Sequence, residues 1–231
     1  LPERLSNGLC SLREGENRAT LAVRMVFGAD GRKRGHRFVR GLIRSAAKLS
    51  YEQAQAAIDG QTDDKTAPLL EPVLKPLWAA YACLKTGRDA RSPLAIESAE
   101  RRIAMTREGE IAAITPRATL DAMKLIEEFR IQANVCAAET LEQKKTPLIY
   151  RIHDQPSREK IQALADLLDT LGLPWAKGEA PRTERFNRLL DETRGGPHAD
   201  IVNEVVLRTQ MQAHYSTDNI GHYGLNLAKY A

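Results

Sequence analysis

The chain has 231 residues, 42% of them apolar and 28% charged, with a formal net charge of +4. That length holds one large domain or two small ones, and the composition is that of an ordinary globular protein. No apolar run approaches the length that spans a bilayer and no signal-peptide pattern opens the chain, so no membrane partner is expected.

Three cysteines, Cys10, Cys83 and Cys136, lie far apart, and no Cys-x-x-Cys or Cys/His spacing occurs. Neither a disulfide framework nor a zinc site is expected, and a reducing, cytoplasmic setting fits. The first residues are Leu1-Pro2-Glu3, with no initiator methionine, as in an excised or trimmed polypeptide. Charge is uneven. Residues 1–50 hold eleven Lys and Arg against four Asp and Glu, an excess of +7, which leaves −3 for the remainder. A basic first quarter suits a phosphate-facing surface, although Arg32-Lys33-Arg34 alone reads better as a solvated hairpin tip.

In chain order, Leu1 to Leu12 is turn-rich. Thr20–Phe27 and Arg37–Ser45 alternate as strands around the turn signal Ala29-Asp30-Gly31, predicting a β-hairpin. Ser50 and Gln53 have capping-box spacing at the start of a short helix to Ile58. Gly60–Lys65 is a polar loop, Pro68–Lys85 a helix with Leu70, Val73, Leu77 and Tyr81 at helical spacing, and Arg88–Pro93 a loop. Ile103 to Met105 and Ile111 to Ile114 flank Arg107-Glu108-Gly109-Glu110 as a second hairpin.

Leu120 to Lys144 contains no Gly or Pro and predicts a long helix. Leu125, Ile126, Phe129, Ala133 and Cys136 fall on one apolar face, and Lys124, Glu128, Gln132 and Glu139 on a solvent face. A third face mixes Leu120, Met123, Ile131 and Ala138 with Glu127 and Asn134. A helix apolar on two sides is packed on two sides, so the fold should wrap around it. Glu127 on such a face is costly unless it is paired or faces a wet cleft. On the helix alone, a paired core carboxylate outweighs a functional one. Beyond it come a strand at Leu148–Ile152 and helices at Ser157–Leu171, Thr183–Thr193 and Ala199–Ala213, then a polar, Gly-punctuated tail. His153-Asp154 has no activated Ser or Cys beside it, and Trp78 and Trp175 read as packing residues. The class is α+β: a helix-rich single domain with short antiparallel β-hairpins around a long central helix.

Four blocks then carry a resemblance: LPERLSNGLCSLREGENR from Leu1; Ala46-Ala-Lys-Leu-Ser-Tyr51-Glu; Leu-Ile-Glu127-Glu-Phe with Ala-Asn134-Val-Cys-Ala-Ala-Glu; and Tyr215-Ser216 through Asn219-Ile-Gly-His222-Tyr-Gly-Leu225 to Tyr230-Ala231. In order and spread over residues 1–231, they resemble the catalytic domain of the ribonuclease II/ribonuclease R (RNB) family of 3′→5′ exoribonucleases. The resemblance implies that residues 1–231 are the central-to-C-terminal portion of such a domain. It implies a parent enzyme that hydrolyses single-stranded RNA to nucleoside 5′-monophosphates with Mg²⁺ or Mn²⁺.

The family's aspartate run, Asp-Pro-x-x-Ala-x-Asp-x-Asp-Asp, is not in this sequence, and neither is its Ser-Pro-x-Arg-Arg run. No catalytic residue and no metal ligand is therefore expected in this chain, which should be inactive alone. The RNA-contacting candidates the resemblance implies are Tyr51, against the terminal nucleotides, and Glu127, which with it contacts the sugars. Ile96 stands where the family has a base-clamping phenylalanine, in surroundings (Arg91 to Glu97) that depart from the family's Arg-Gly-Ala. His222 is carried as a further RNA contact, with a structural role in a turn weighed ahead of it, and Asn134 reads as a helix-packing hydrogen bonder. Part of a domain leaves strand edges and helix faces uncovered, so non-native self-association is expected. The alternative is a non-catalytic RNA-binding or scaffold protein of the same fold; a helical interaction domain without nucleic acid is a third.

Overall fold

Strand β1 (Asn17–Phe27) pairs antiparallel with β2 (Lys33–Arg44), from Asn17 opposite Arg44 to Phe27 opposite Lys33, with a bulge after Val26. The hairpin predicted from alternation is present and longer by three residues at its start. The structure, a computed structural model, describes residues 2–96, 101–106, 109–116, 119–176, 178 and 180–231. Leu1, Glu97, Arg107 and Glu108, named above, lie outside the described residues.

At the hairpin tip Asp30 accepts from the Arg32 N–H at 3.1 Å and from the Arg34 guanidinium at 2.9 Å. Those contacts, the Arg32 N–H first, hold its carboxyl below the usual range. The tip is thus a solvated, internally paired turn. Gly31 has φ +72°, and a Cβ there would come within 2.3 Å of the Gly87 amide nitrogen, so the tip lies backbone to backbone on a helix. Cys83 Sγ adds a contact at 2.8 Å to the Gly28 carbonyl.

Helix α1 (Tyr51–Ile58) starts as predicted: Ser50 Oγ accepts from the Gln53 N–H at 3.1 Å, and Gln53 Oε1 from the Ser50 N–H at 3.0 Å. Such a cap is worth about 1 kcal/mol. A short α2 (Ala67–Leu69) passes through one wide helical turn, Leu70–Leu74, into α3 (Lys75–Arg91). Here the structure keeps the expected face and corrects one residue of it. Leu74, Tyr81 and Leu84 are buried and Val73 is exposed. Leu70 and Leu77 are half-buried beside them, and Leu74 takes the covered place after Leu70 that Val73 was expected to fill, in a turn whose Pro72 has no N–H to donate. The predicted loop from Arg88 is the last turn of α3; the chain leaves the helix at Ser92, φ +50°, before Pro93.

Strands β3 (Arg101–Met105) and β4 (Ile111–Pro116) form the second antiparallel pair. Helix α4 (Asp121–Gln143) is the long central helix. Two compact units share the chain: Leu1–Gly87 with Thr119–Ala133, and Arg88–Ala118 with Asn134–Ala231. The helix contributes its first half to one unit and its second half to the other.

In the second unit α5 (Arg158–Thr170), α6 (Thr183–Thr193) and α7 (Ala199–Thr209) bury Leu164, Leu168, Phe186, Leu189, Leu190, Val202 and Val206 in one cluster. Each such side chain contributes about 1.5–3 kcal/mol of burial. Ser157 caps α5, its Oγ accepting from the Lys160 N–H. The short strand β5 (Tyr150–Ile152) pairs antiparallel with β6 (His214–Ser216) beside buried Ala138 of α4.

The tail after β6 is held by side chains far away in sequence. His153 Nδ1 accepts from the Gly224 N–H at 2.9 Å, and its Nε2 lies 2.8 Å from the Met211 carbonyl. One nitrogen must accept and the other donate, which is the neutral ring protonated at Nε2. His222 Nδ1 accepts from the Leu225 N–H at 3.2 Å, and its ring lies 5.1 Å from that of His153 and 5.3 Å from that of Tyr230. The Tyr230 hydroxyl accepts from Asn134 Nδ2 at 3.0 Å, so Asn134 is the packing hydrogen bonder expected of it. Lys229 and Tyr150 both donate to Glu142 and hold its carboxyl below the usual range, Lys229 foremost.

Burial, then the charge of His153, lowers the His222 pKa from 6.5 to about 4; burial likewise lowers that of His153, which also faces Asp154 and Arg151. The neutral rings therefore stabilise the fold fully above pH 6.5, and this is lost as pH falls from 6.5 toward about 4. About 2 kcal/mol of stability should disappear between pH 7 and pH 5, a window above the titration of the lowered carboxylates. Urea midpoints at the two pH values measure it, and His222→Gln should remove much of the difference. Equal midpoints in the wild-type chain would contradict the assignment.

Candidate nucleic-acid interface

The packed arc of α4 carries Ala122, Leu125, Glu128, Ile131, Val135, Cys136 and Ala138. What remains open is the arc of Ile126, Glu127 and Arg130. This reverses the expected roles of two adjacent carboxylates. Glu128, placed by periodicity on the solvent face, is 2% exposed. Its carboxylate accepts from Gln132 Nε2 at 2.9 Å, one turn along. Glu127, placed among apolar residues, is exposed. The physical reason is that apolar residues surround most of α4, so tertiary packing and not periodicity chooses which arc is covered. Ile126, expected in the core, is accordingly exposed as well.

Helix α1 is tied to the first turn of α4: Gln55 Oε1 accepts from the Ala122 N–H at 3.0 Å. Tyr51 lies one turn before Gln55 on the same face of α1 and is 41% exposed. The ring of Tyr51 and the carboxylate of Glu127 thus both reach solvent within the first unit. Among the described residues no hydrogen bond or ion pair engages Glu127. An exposed carboxylate can accept a hydroxyl proton, and a phenol ring offers a flat face to a sugar or base.

The other two candidates stand elsewhere. Ile96, in the second unit, is half-buried and packs against the α5–α7 cluster, so its side chain is engaged with apolar neighbours. His222 is 9% exposed and held in the tail cluster described above, which is the structural role in a turn. His153, passed over in the sequence as a bland neighbour of Asp154, is a main anchor of that tail. Its partners Met211 and Gly224 lie 58 and 71 residues away, and no local pattern reveals them. Trp175 packs on Phe186 with ring centroids 5.3 Å apart, as a packing residue would.

Among the described residues no three His, Cys, Asp or Glu side chains gather as a metal site requires. These residues do not supply a donor set for a divalent ion. Among the described residues no helix is long and apolar enough to cross a membrane.

A family model described as "RNB domain" matches residues 1–231. Ribonuclease R of Escherichia coli strain K12 is 36% identical over the whole chain, which spans 28% of that relative's length. Among solved structures, Mycoplasma genitalium RNase R in complex with ribose methylated single-stranded RNA superposes with a TM-score of 0.89 at 24% identity, over 100% of this chain and 36% of that one. Yeast Ssd1, described as a pseudonuclease, superposes at 0.69 with 16% identity, over 100% of this chain and 28% of that one. With the model matched end to end, and the ordered blocks from Leu1 to Ala231 all accounted for within it, the chain belongs to the RNB domain family.

Proposed function

We propose that this chain is the RNA-holding portion of the catalytic domain of a 3′→5′ exoribonuclease that hydrolyses single-stranded RNA to nucleoside 5′-monophosphates, in a cytoplasmic setting. Tyr51 and Glu127 lie against the terminal nucleotides and select ribose over deoxyribose. The observation that carries this reading is the pairing of an exposed ring with an exposed, unengaged carboxylate in one unit of an RNB-family chain. The name of the 36% identical relative, Ribonuclease R, and the RNA in the superposed M. genitalium structure support it. Glu127 accepts the 2′-hydroxyl proton of the ribose, and Tyr51 supports the sugar or base above it.

Hydrolysis in the parent enzyme uses Mg²⁺ or Mn²⁺, held by carboxylates that the described residues of this chain do not gather. The chain alone should release no mononucleotides from single-stranded RNA with either ion; processive release by the pure chain would sink the division of labour. A second reading, a non-catalytic RNA-binding protein, is favoured by one observation: a pseudonuclease adopts this fold. Both readings require RNA binding.

A hydrogen bond to a charged acceptor is worth about 1.5–3 kcal/mol, or roughly tenfold to a hundredfold in affinity. Glu127→Ala and Tyr51→Ala should each lower the ratio of RNA to DNA affinity by about tenfold or more, measured with oligonucleotides of one sequence. A double variant that keeps the full preference for RNA would remove both residues from the interface.

Exposed apolar side chains also point to self-association of the isolated chain. Leu21 and Leu42, on one face of the β1–β2 ribbon, are 70% and 69% exposed. Sedimentation velocity should show concentration-dependent association; a strict monomer at high concentration would count against it.

A further inference from the structure

Helix α6 brings three arginines to one place. Arg182 stands at its N-cap, and Arg185 and Arg188 follow at three-residue spacing. With Ala180 and Glu184 they line a cleft of about 570 Å³. The stripe faces outward because Thr183, Phe186, Leu189, Leu190 and Thr193 bury the other side of the helix. The middle guanidinium is fixed: Arg185 Cζ lies 3.8 Å from the centre of the Trp175 ring, and its Nη2 donates to the Ala176 carbonyl.

Arg182 and Arg188 are exposed, and among the described residues neither is in an ion pair. Two neighbouring arginines differ in this: Arg194 is paired with Asp191 at 3.0 Å and Arg208 with Glu204 at 2.6 Å. Among the described residues the cleft is lined by the guanidiniums of Arg182 and Arg188, the fixed Arg185 and the carboxylate of Glu184, so its exposed side chains are mainly cationic. The planar guanidinium fork matches the oxygens of a phosphate. From Arg182 to Arg188 the helix rises about 9 Å, the length of two to three nucleotides in a stacked strand at about 3.4 Å each. Arginines, one carboxylate and one alanine read charge and not base identity.

We propose that the Arg182–Arg185–Arg188 row is a second RNA contact, binding the phosphodiester backbone through residues distinct from Tyr51 and Glu127. It rests on the RNA-holding reading above and adds to it a sequence-independent, salt-sensitive component of affinity. Arg182 and Arg188 supply the ionic contacts, and the stacked Arg185 sets their spacing.

The test is the salt dependence of binding of the full 231-residue chain to a labelled single-stranded oligoadenylate. Each phosphate contact contributes about 0.7 to the slope of log affinity against log salt, so Arg182→Ala with Arg188→Ala should make it shallower by about 1.4. Arg208→Ala, whose guanidinium is already paired, should leave the slope unchanged. Glu184→Gln removes the opposing carboxylate and should tighten binding, a gain that a misfolded variant cannot mimic. An unchanged slope in the double variant, or weaker binding by Glu184→Gln, overturns the row while leaving the Tyr51–Glu127 surface standing. An acidic peptide that binds the wild-type chain and loses that binding with Arg182→Ala plus Arg188→Ala, while the RNA slope stays unchanged, would assign the cleft to a protein partner and overturn it too. If the wild-type chain binds no RNA at low salt, the row and the RNA-holding reading fall together.

Discussion

Which arc of α4 is buried decides which carboxylates of this chain can meet a ligand. Glu127 and Glu128 are neighbours in sequence and 100° apart around the helix. The fold covers the arc of Leu125, Glu128, Ile131 and Val135, and that covering leaves Glu127 in solvent. A buried carboxylate must be satisfied where it lies, and Gln132, one turn on, supplies a hydrogen bond. The exposed carboxylate carries no such obligation and is free to serve a ligand. The hydrogen bond between Gln55 and the Ala122 N–H then ties α1, and with it Tyr51, to the start of the same helix.

Much of the fold was legible because it is local. The β1–β2 hairpin follows from alternation around Asp30-Gly31, and α1 from the Ser50–Gln53 capping box, where the cause and its effect lie within a few residues. What was not legible depended on tertiary choices. Through the wide turn and α3, Leu70, Leu77 and Tyr81 lie on the covered side as their spacing indicates, but Leu74 and not Val73 stands between them, a choice between two helical spacings that only packing makes. The open arc of α4 could not be read from a helix apolar on most sides. His153 looked unremarkable because Met211 and Gly224 are distant in sequence.

The candidate site was legible in a different way. Tyr51 and Glu127 were singled out by resemblance, and the structure leaves both exposed in one unit. His222 was flagged by the same route but occupies a buried turn, with its ring nitrogen spent on the Leu225 N–H. Similarity of sequence marks a position as constrained without saying whether the constraint is packing or contact, and burial separates the two. The arginine row of α6 shows the converse. Its three-residue spacing was visible in the sequence from Arg182 to Arg188, but only the cleft and the Trp175 stack distinguish it from an ordinary solvated helix face.

The central claim is that the open arc of α4 and the start of α1 together sense the ribose 2′-hydroxyl. Backbone amide NMR of the chain, titrated in parallel with an oligoribonucleotide and its 2′-deoxy counterpart, tests it most directly. The account predicts that amides around Tyr51 to Gln55 and Ile126 to Arg130 shift with RNA and much less with DNA. Equal shifts with both ligands, or shifts with RNA that leave these two segments untouched, would contradict it.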